Sequence, residues 1–372
     1  MSGDLTPTGS DLGRLSDDEF QAYLLAGVSR TFALTIPQLP AALARPVSNA
    51  YLLCRIVDTI EDEPAIDGAQ KRSFCRLFAA VVRGEADAGH LASELAPLLS
   101  SQTLATEHEL IAVMPRVIRI THSFDPEQKQ ALSQCVEIMS QGMADFQSRD
   151  LTTGLGTLQE MGDYCYYVAG VVGEMLTRLF CHYSPEIDRH RDEMMRLSVS
   201  FGQGLQMTNI LKDLWDDHDR GVCWLPKDIF VGTGFDLANL HPGHRNERFK
   251  AGYRILIGIA LGHLENALRY TMLIPPHESG IRQFCLWALG MAVMTLRKIN
   301  SHLDFSTSAS VKISRRTVHG TVLVSRLTHR CDFLLGLAFS AASLGLPRAA
   351  QDLILINPPR LTPMHSSEHL PH

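Results

Sequence analysis

Apolar residues fall at helical spacing through almost the whole chain, and only short clusters of turn formers interrupt them. That pattern predicts helices over residues 17–28, 40–62, 68–84, 90–101, 106–122, 126–148, 157–181, 185–218, 247–272, 279–302 and 322–345, with punctuation at Asp125-Pro126, Ser184-Pro185 and Pro275-Pro276. No region alternates as paired strands do, and no repeat of fixed period is present. The expected fold is all-α and single-domain. Residues 1–356 form one helical unit, 226–246 a loop rich in Gly, Asn, Asp and His, and 357–372 a flexible tail. With 45% hydrophobic and 20% charged residues over 372 positions, the chain can fill a core and solvate its surface, which excludes disordered, collagen-like and small disulfide-stapled folds.

A net charge of −6 argues against a nucleic-acid binder, so any phosphate site must be local. The cysteines (Cys54, Cys75, Cys135, Cys165, Cys181, Cys223, Cys285 and Cys331) are scattered without a CxxC pair, which signals neither a zinc site nor a disulfide framework. The first 25 residues carry acids and turn formers instead of a basic start and an apolar stretch, so the expected location is the reducing cytoplasm. The apolar stretch Phe333 to Leu346 falls short of the roughly 20 residues of a membrane span, so it is expected to touch a membrane at most.

Two acidic constellations point to chemistry. The apolar run Tyr51 to Glu63 supplies Asp58, Glu61 and Asp62, whose offsets of three and four place them on one helix face. One such triplet alone is more often a solvated helix end. A second run, Met207 to Asp219, repeats the offsets with Asp213, Asp216 and Asp217, and two such faces are much harder to dismiss. Like charges at this spacing repel unless a cation joins them, and hard oxygen ligands suit magnesium, which shares its shell with substrate phosphates. Packed side by side, the two helices would hold a diphosphate through metal ions. Charge drawn onto that leaving group ionises an allylic carbon without a nucleophilic residue. The cation left behind needs a dry wall of apolar and aromatic side chains.

Ser29-Arg30-Thr31-Phe32, Tyr51, Arg55 with Asp58, Glu61 and Asp62, the run Asp163 to Gly173 and the segment Gln206 to Asp213 with Asp217 together resemble the squalene/phytoene synthase family, in order, from about residue 29 to 320. The stretches YCYYVAGVVGEMLTRLF and FCLWALGMAVMTLRKIN, followed by Val311-Lys312-Ile313-Ser314-Arg315, resemble the squalene-forming branch of that family. The resemblance implies an isoprenoid-synthase fold, with helices around a central cavity whose mouth carries both acidic motifs. It implies the head-to-head joining of two farnesyl diphosphates to presqualene diphosphate and then reduction by NADPH to squalene.

Residue by residue, the resemblance assigns the magnesium ions to Asp58, Asp62, Asp213 and Asp217, with Glu61 in support. Arg30, Arg55 and Lys212 would hold diphosphate oxygens. Tyr164 would be the catalytic phenol and Phe284 the aromatic near the second cation. Ser29, Phe32, Tyr51, Gln206 and Asn209 would line the substrate pocket, and Lys312 and Arg315 would hold the NADPH phosphates. On periodicity alone Phe284 and Trp287 read as core, and only the motif singles out Tyr164 from Tyr166 and Tyr167.

The chain departs from the family at two places. The expected Gly-Arg four residues before Pro226 is replaced by Val222, with Arg220-Gly221 two residues early, so Arg220 either reaches the diphosphate from a shifted loop or lies at the surface. Lys212 stands where relatives carry Arg, which keeps the charge but loses the planar fork. The expected protein is a monomer with no nucleic-acid partner and at most peripheral membrane contact. The competing reading within the fold is a dehydrosqualene or phytoene synthase without the reductive step. Outside that branch stand an elongating prenyltransferase or terpene cyclase and, from another class, a helical scaffold that merely binds divalent cations.

Overall fold

The structure, a computed structural model, describes residues 12–29, 31–146, 149–242 and 246–356. Among the described residues every extended element is helical, and β pairing is limited to an isolated bridge between Leu155 and Pro226. The body is built from α1 (Asp17–Val28), α2 (Ala41–Asp62), α3 (Gly68–Arg83), α4 (Ala88–Leu95), α5 (Ala105–Ala112), α6 (Met114–His122), α7 (Pro126–Phe146), α8 (Leu158–Cys165), α9 (Val171–Tyr183), α10 (Arg191–Asp219), α11 (Glu247–Leu273), α12 (Ser279–Ser301), α13 (Arg315–Thr328) and α14 (Asp332–Ser343). The expected tail from residue 357 lies outside the described residues, as does Arg30.

Several expected boundaries shift for local reasons. The run 106–122 splits at Val113 because Pro115 has no N–H to carry the ladder through. The run 157–181 is interrupted by a π-helical turn at Tyr166–Gly170. The expected helix 322–345 is instead two helices, since Cys331 is extended and Ser314 caps an earlier start at Arg315. The expected loop 226–246 carries a short helix, Lys227–Gly232, and a 3₁₀ turn, Leu237–Asn239.

Close helix approach is set by small residues. A Cβ at Gly173 would lie 2.3 Å from the Ser198 carbonyl oxygen, and one at Gly202 would lie 2.2 Å from that of Ala169. These glycines therefore let α9 and the π turn meet α10 backbone to backbone. The long helices α10 and α11 pack along one another, and α12 closes over both. Buried polar groups tie the remainder together: Asn49 on α2 accepts from Gln21 at 3.0 Å and donates to Thr121 at 2.6 Å, joining α1, α2 and α6. Helix α12 is long and apolar enough to cross a membrane, yet most of it is buried inside the protein as a core helix.

Candidate active site

Helix α2 ends in the first acidic motif. Asp58 is half-buried, Glu61 buried and Asp62 exposed. The helix stops at the buried Glu63, whose carboxylate accepts from the Ala65 and Ser100 N–H groups and from the Thr103 hydroxyl. Burial raises the Glu63 value, but those hydrogen bonds outweigh it and hold the carboxyl down at about 2. Arg55 lies one turn before Asp58, 3.8 Å from it and 3.6 Å from Glu107 of α5, and donates to the Tyr51 hydroxyl at 2.9 Å. Burial opposes the Arg55 charge, yet Asp58, Tyr51 and Glu107 outweigh it and keep the guanidinium protonated. Asp58 is pushed up to about 6, by burial first and by Asp62 and Glu107 beyond what Arg55 offsets. Phe32 packs its ring 4.8 Å from that of Tyr51, and the Ser29 hydroxyl caps the Phe32 N–H at 3.1 Å, so the expected pocket residues of this segment gather beside Arg55.

The second motif ends α10. Asp213 is half-buried and Asp217 buried. Lys212 reaches back to Asp213 at 3.1 Å and to Asn209 at 3.4 Å, while Gln206 is half-buried one turn earlier. Arg220 decides the geometry of the pair. Its guanidinium hydrogen-bonds Asp217 and stands 3.7 Å from Asp62, so one cation spans both motifs. Asp217 is pushed up to about 6 by burial, with Arg220 opposing and Asp213 and Asp62 adding to the rise. Arg220, which the sequence leaves open between diphosphate and surface, is solvent-exposed and stands between the two acidic motifs.

The turn after α10 completes the site. Gly221 adopts φ +77°, a left-handed conformation that reverses the chain directly after the helix. Cys223 then donates its N–H to the Leu151 carbonyl at 2.8 Å, and Leu225 accepts from Leu155 at 3.0 Å. This places Trp224 flat on Tyr164, with ring centroids 3.7 Å apart and planes 10° apart, while Phe146 meets the Tyr164 edge at 5.4 Å. Burial holds the Tyr164 phenol well above its ordinary value, and Glu61, Asp62 and Asp217 push the same way, so Tyr164 lies near both motifs and stays a neutral hydroxyl.

Phe284 on α12 is buried, 6.3 Å edge-on from Phe180 of α9. Lys312 and Arg315 are exposed, flanking the cap of α13. Their segment is moored to the second motif, because Ser308 of the short helix Ser308–Val311 donates to Asp216 at 2.5 Å. Expected position Arg30 lies outside the described residues. Sequence reasoning missed Trp224 and Glu107. Trp224 had a usable signal, an aromatic two residues before the Pro after the second motif; Glu107, from a separate helix, had none.

The donor set suits magnesium. It consists of hard carboxylate oxygens, partly buried, and the proton affinity of Asp58, Asp213 and Asp217 is raised by burial first and by neighbouring carboxylates second, a cost that a divalent cation relieves.

A family model described as squalene/phytoene synthase matches residues 25–317. The squalene synthase of Eremothecium gossypii is 30% identical over 315 residues, covering 83% of this chain and 68% of that protein. Squalene synthase ERG9 of Saccharomyces cerevisiae is 30% identical over 318 residues, covering 83% and 67%. The chain spans 63% of the length of squalene synthase clz20 of Cochliobolus lunatus, with 30% identity over 275 residues. Among solved structures, TcSQS with the ligand E5700 superposes with a TM-score of 0.72 at 24% identity, covering 91% of this chain and 95% of that one. A dehydrosqualene synthase superposes with a TM-score of 0.62 at 19% identity over 86% and 97%. These superpositions establish the shared fold.

Proposed function

The chain belongs to the squalene/phytoene synthase family, and from that premise we propose that it joins two farnesyl diphosphates head to head and reduces the product to squalene. Two farnesyl diphosphates give presqualene diphosphate with loss of one diphosphate and one proton. Hydride then displaces the second diphosphate and leaves squalene and oxidised cofactor. The observation that supports this reading is Arg220, which contacts both Asp62 and Asp217 and so brings the ends of the two acidic motifs together, with Tyr164 near enough to feel Glu61, Asp62 and Asp217.

Asp58, Asp62, Asp213 and Asp217 would hold magnesium, with Glu61 in support. Arg55 and Lys212, with Arg30, would bind diphosphate oxygens. When bound, magnesium supplies Lewis acidity toward the diphosphates and NADPH supplies the hydride of the second half-reaction. Tyr164, kept neutral, would donate to departing diphosphate oxygen and relay the proton lost in cyclopropane formation. Trp224, stacked on it, fixes its ring, and the aromatic pair would stabilise developing positive charge nearby. Ser29, Phe32, Tyr51, Gln206 and Asn209 would line the pocket, and Phe284 would shield the second cation from water. Lys312 and Arg315 would bind the NADPH phosphates, a reading supported by the Ser308 to Asp216 contact that keeps their segment beside the second motif. The protein would act as a cytoplasmic monomer with peripheral membrane contact; its eight free thiols suit a reducing compartment.

The test is incubation with farnesyl diphosphate and magnesium, with and without NADPH, followed by mass analysis of the lipid extract. Squalene with reductant and presqualene diphosphate without it are expected. A product pattern indifferent to NADPH would assign the chain to the non-reductive branch.

A further inference from the structure

We propose that the outer face of the α13–α14 hairpin docks on an anionic phospholipid bilayer. Of the twelve large apolar residues exposed among the described residues, seven lie between 323 and 344: Leu323, Val324, Leu327, Phe333, Leu334, Leu337 and Leu344. Leu327 is 72% exposed, Phe333 73% and Leu344 77%, too much for residues that serve only to fill a groove. Their spacing is helical. Leu323 and Leu327 share one stripe of α13, Phe333 and Leu337 share one stripe of α14, and Leu344 follows directly after that helix.

Both stripes point away from the body because the opposite sides are clamped to α12. Thr321 packs on Gly290, Arg326 lies over the Trp287 ring at 5.6 Å, and Arg297 donates to the Ala342 carbonyl at 2.9 Å. The fully buried Arg282 binds both the His329 carbonyl and Asp332 at 2.7 Å, pinning the bend between the two helices. The apolar face is thus held rigid and outward.

Charge selects the occupant. Between residues 312 and 348 six cations stand against one acid, Asp332; Arg348 is paired with Glu265 at 2.6 Å and Arg326 lies over Trp287, which leaves Lys312, Arg315, Arg316 and Arg330 to carry a local positive charge in a chain whose total is −6. Asp332 is itself engaged by Arg282. Arg316 and Arg330 are exposed at the two ends of the Leu323–Leu327 stripe. An apolar face rimmed by cations matches the boundary between acyl chains and anionic headgroups. A second copy of the same face would bring like charges together, which disfavours self-association there. The inference deepens the peripheral membrane contact proposed above and does not depend on the reaction assigned to the site.

Cys331, at the bend of the hairpin, is exposed while the other seven cysteines are buried, so it takes a fluorophore selectively in the full-length protein. An environment-sensitive label there should shift to the blue with vesicles of phosphatidylcholine plus phosphatidylglycerol, and much less with phosphatidylcholine alone. Unlabelled protein should float with the anionic vesicles. The double variant Leu327→Glu, Leu337→Glu should bind them about ten-fold or more weakly with an unchanged melting temperature, whereas Val231→Glu, an exposed apolar residue elsewhere, should bind as before. The proposal is overturned if wild type floats with neither vesicle, if the double variant floats equally well, or if ultracentrifugation finds a dimer that the double variant dissociates without any vesicle binding.

Discussion

Asp58 and Asp217 sit in the folded protein as carboxylates whose protons are held more tightly than in water, each near a value of about 6. A carboxyl raised from 3.8 to about 6 favours the folded state below pH 3.8 and loses that contribution as pH rises through 6, so at neutral pH each charge costs the metal-free protein up to about 3 kcal/mol. Asp58→Asn should therefore leave the melting temperature of the metal-free protein unchanged or higher while lowering turnover by about a hundred-fold or more. A drop in melting temperature would show that the Asp58 charge is structural. Arg220 acts in the other direction, as the cation that lets Asp62 and Asp217 approach. Arg220→Gln should lower the melting temperature without metal, and magnesium should recover more of it than in wild type, as a thermal-shift titration would read. Tyr164→Phe should slow the first condensation by about 10²–10⁴-fold with the Trp224 stack and the fold retained; accumulation of presqualene diphosphate at the wild-type rate would remove Tyr164 from that step.

Helix α10 carries the most contacts of consequence, with the second motif at its end, the glycine crossing at Gly202 and a buried network in its middle. There Ser200 meets His263 Nδ1 of α11 at 2.8 Å and accepts from Asn266 at 3.0 Å. Burial lowers His263 from 6.5 to about 4, so its neutral form is the folded one. The contribution is complete above pH 6.5 and is lost as pH falls toward 4, by up to about 3 kcal/mol. His263→Gln should flatten the fall in melting temperature between pH 7 and 5; an unchanged slope would assign the acid sensitivity elsewhere. Gly202→Ala, which drives a methyl onto the Ala169 carbonyl, should separate α10 from the π turn and cost both stability and turnover. Helix positions were legible because their signal is local. The 3.6-residue period and the acids at offsets of three and four needed no tertiary knowledge, and α1, α2 and α11 fall within a residue or so of expectation. The π turn and the break at Cys331 were not legible, because they are decided by what packs against Gly170 and by Arg282 reaching the bend.

At the scale of the whole molecule, the proposed members of the site are legible in the sequence but their arrangement is not. Asp58, Asp62, Asp213 and Asp217 were each readable, whereas the Trp224 stack joins residues 60 apart through a glycine-dependent turn, and Glu107 reaches Arg55 from another helix. The account requires that helices more than a hundred residues apart in sequence end on one shared volume. Calorimetric titration of magnesium with inorganic diphosphate tests this without turnover. Wild type should bind diphosphate strongly only when magnesium is present, and Asp62→Asn and Asp213→Asn, one from each wall, should each weaken that binding by about ten-fold or more. If either substitution leaves the magnesium-dependent affinity unchanged, the two walls do not share a ligand and the central claim is contradicted.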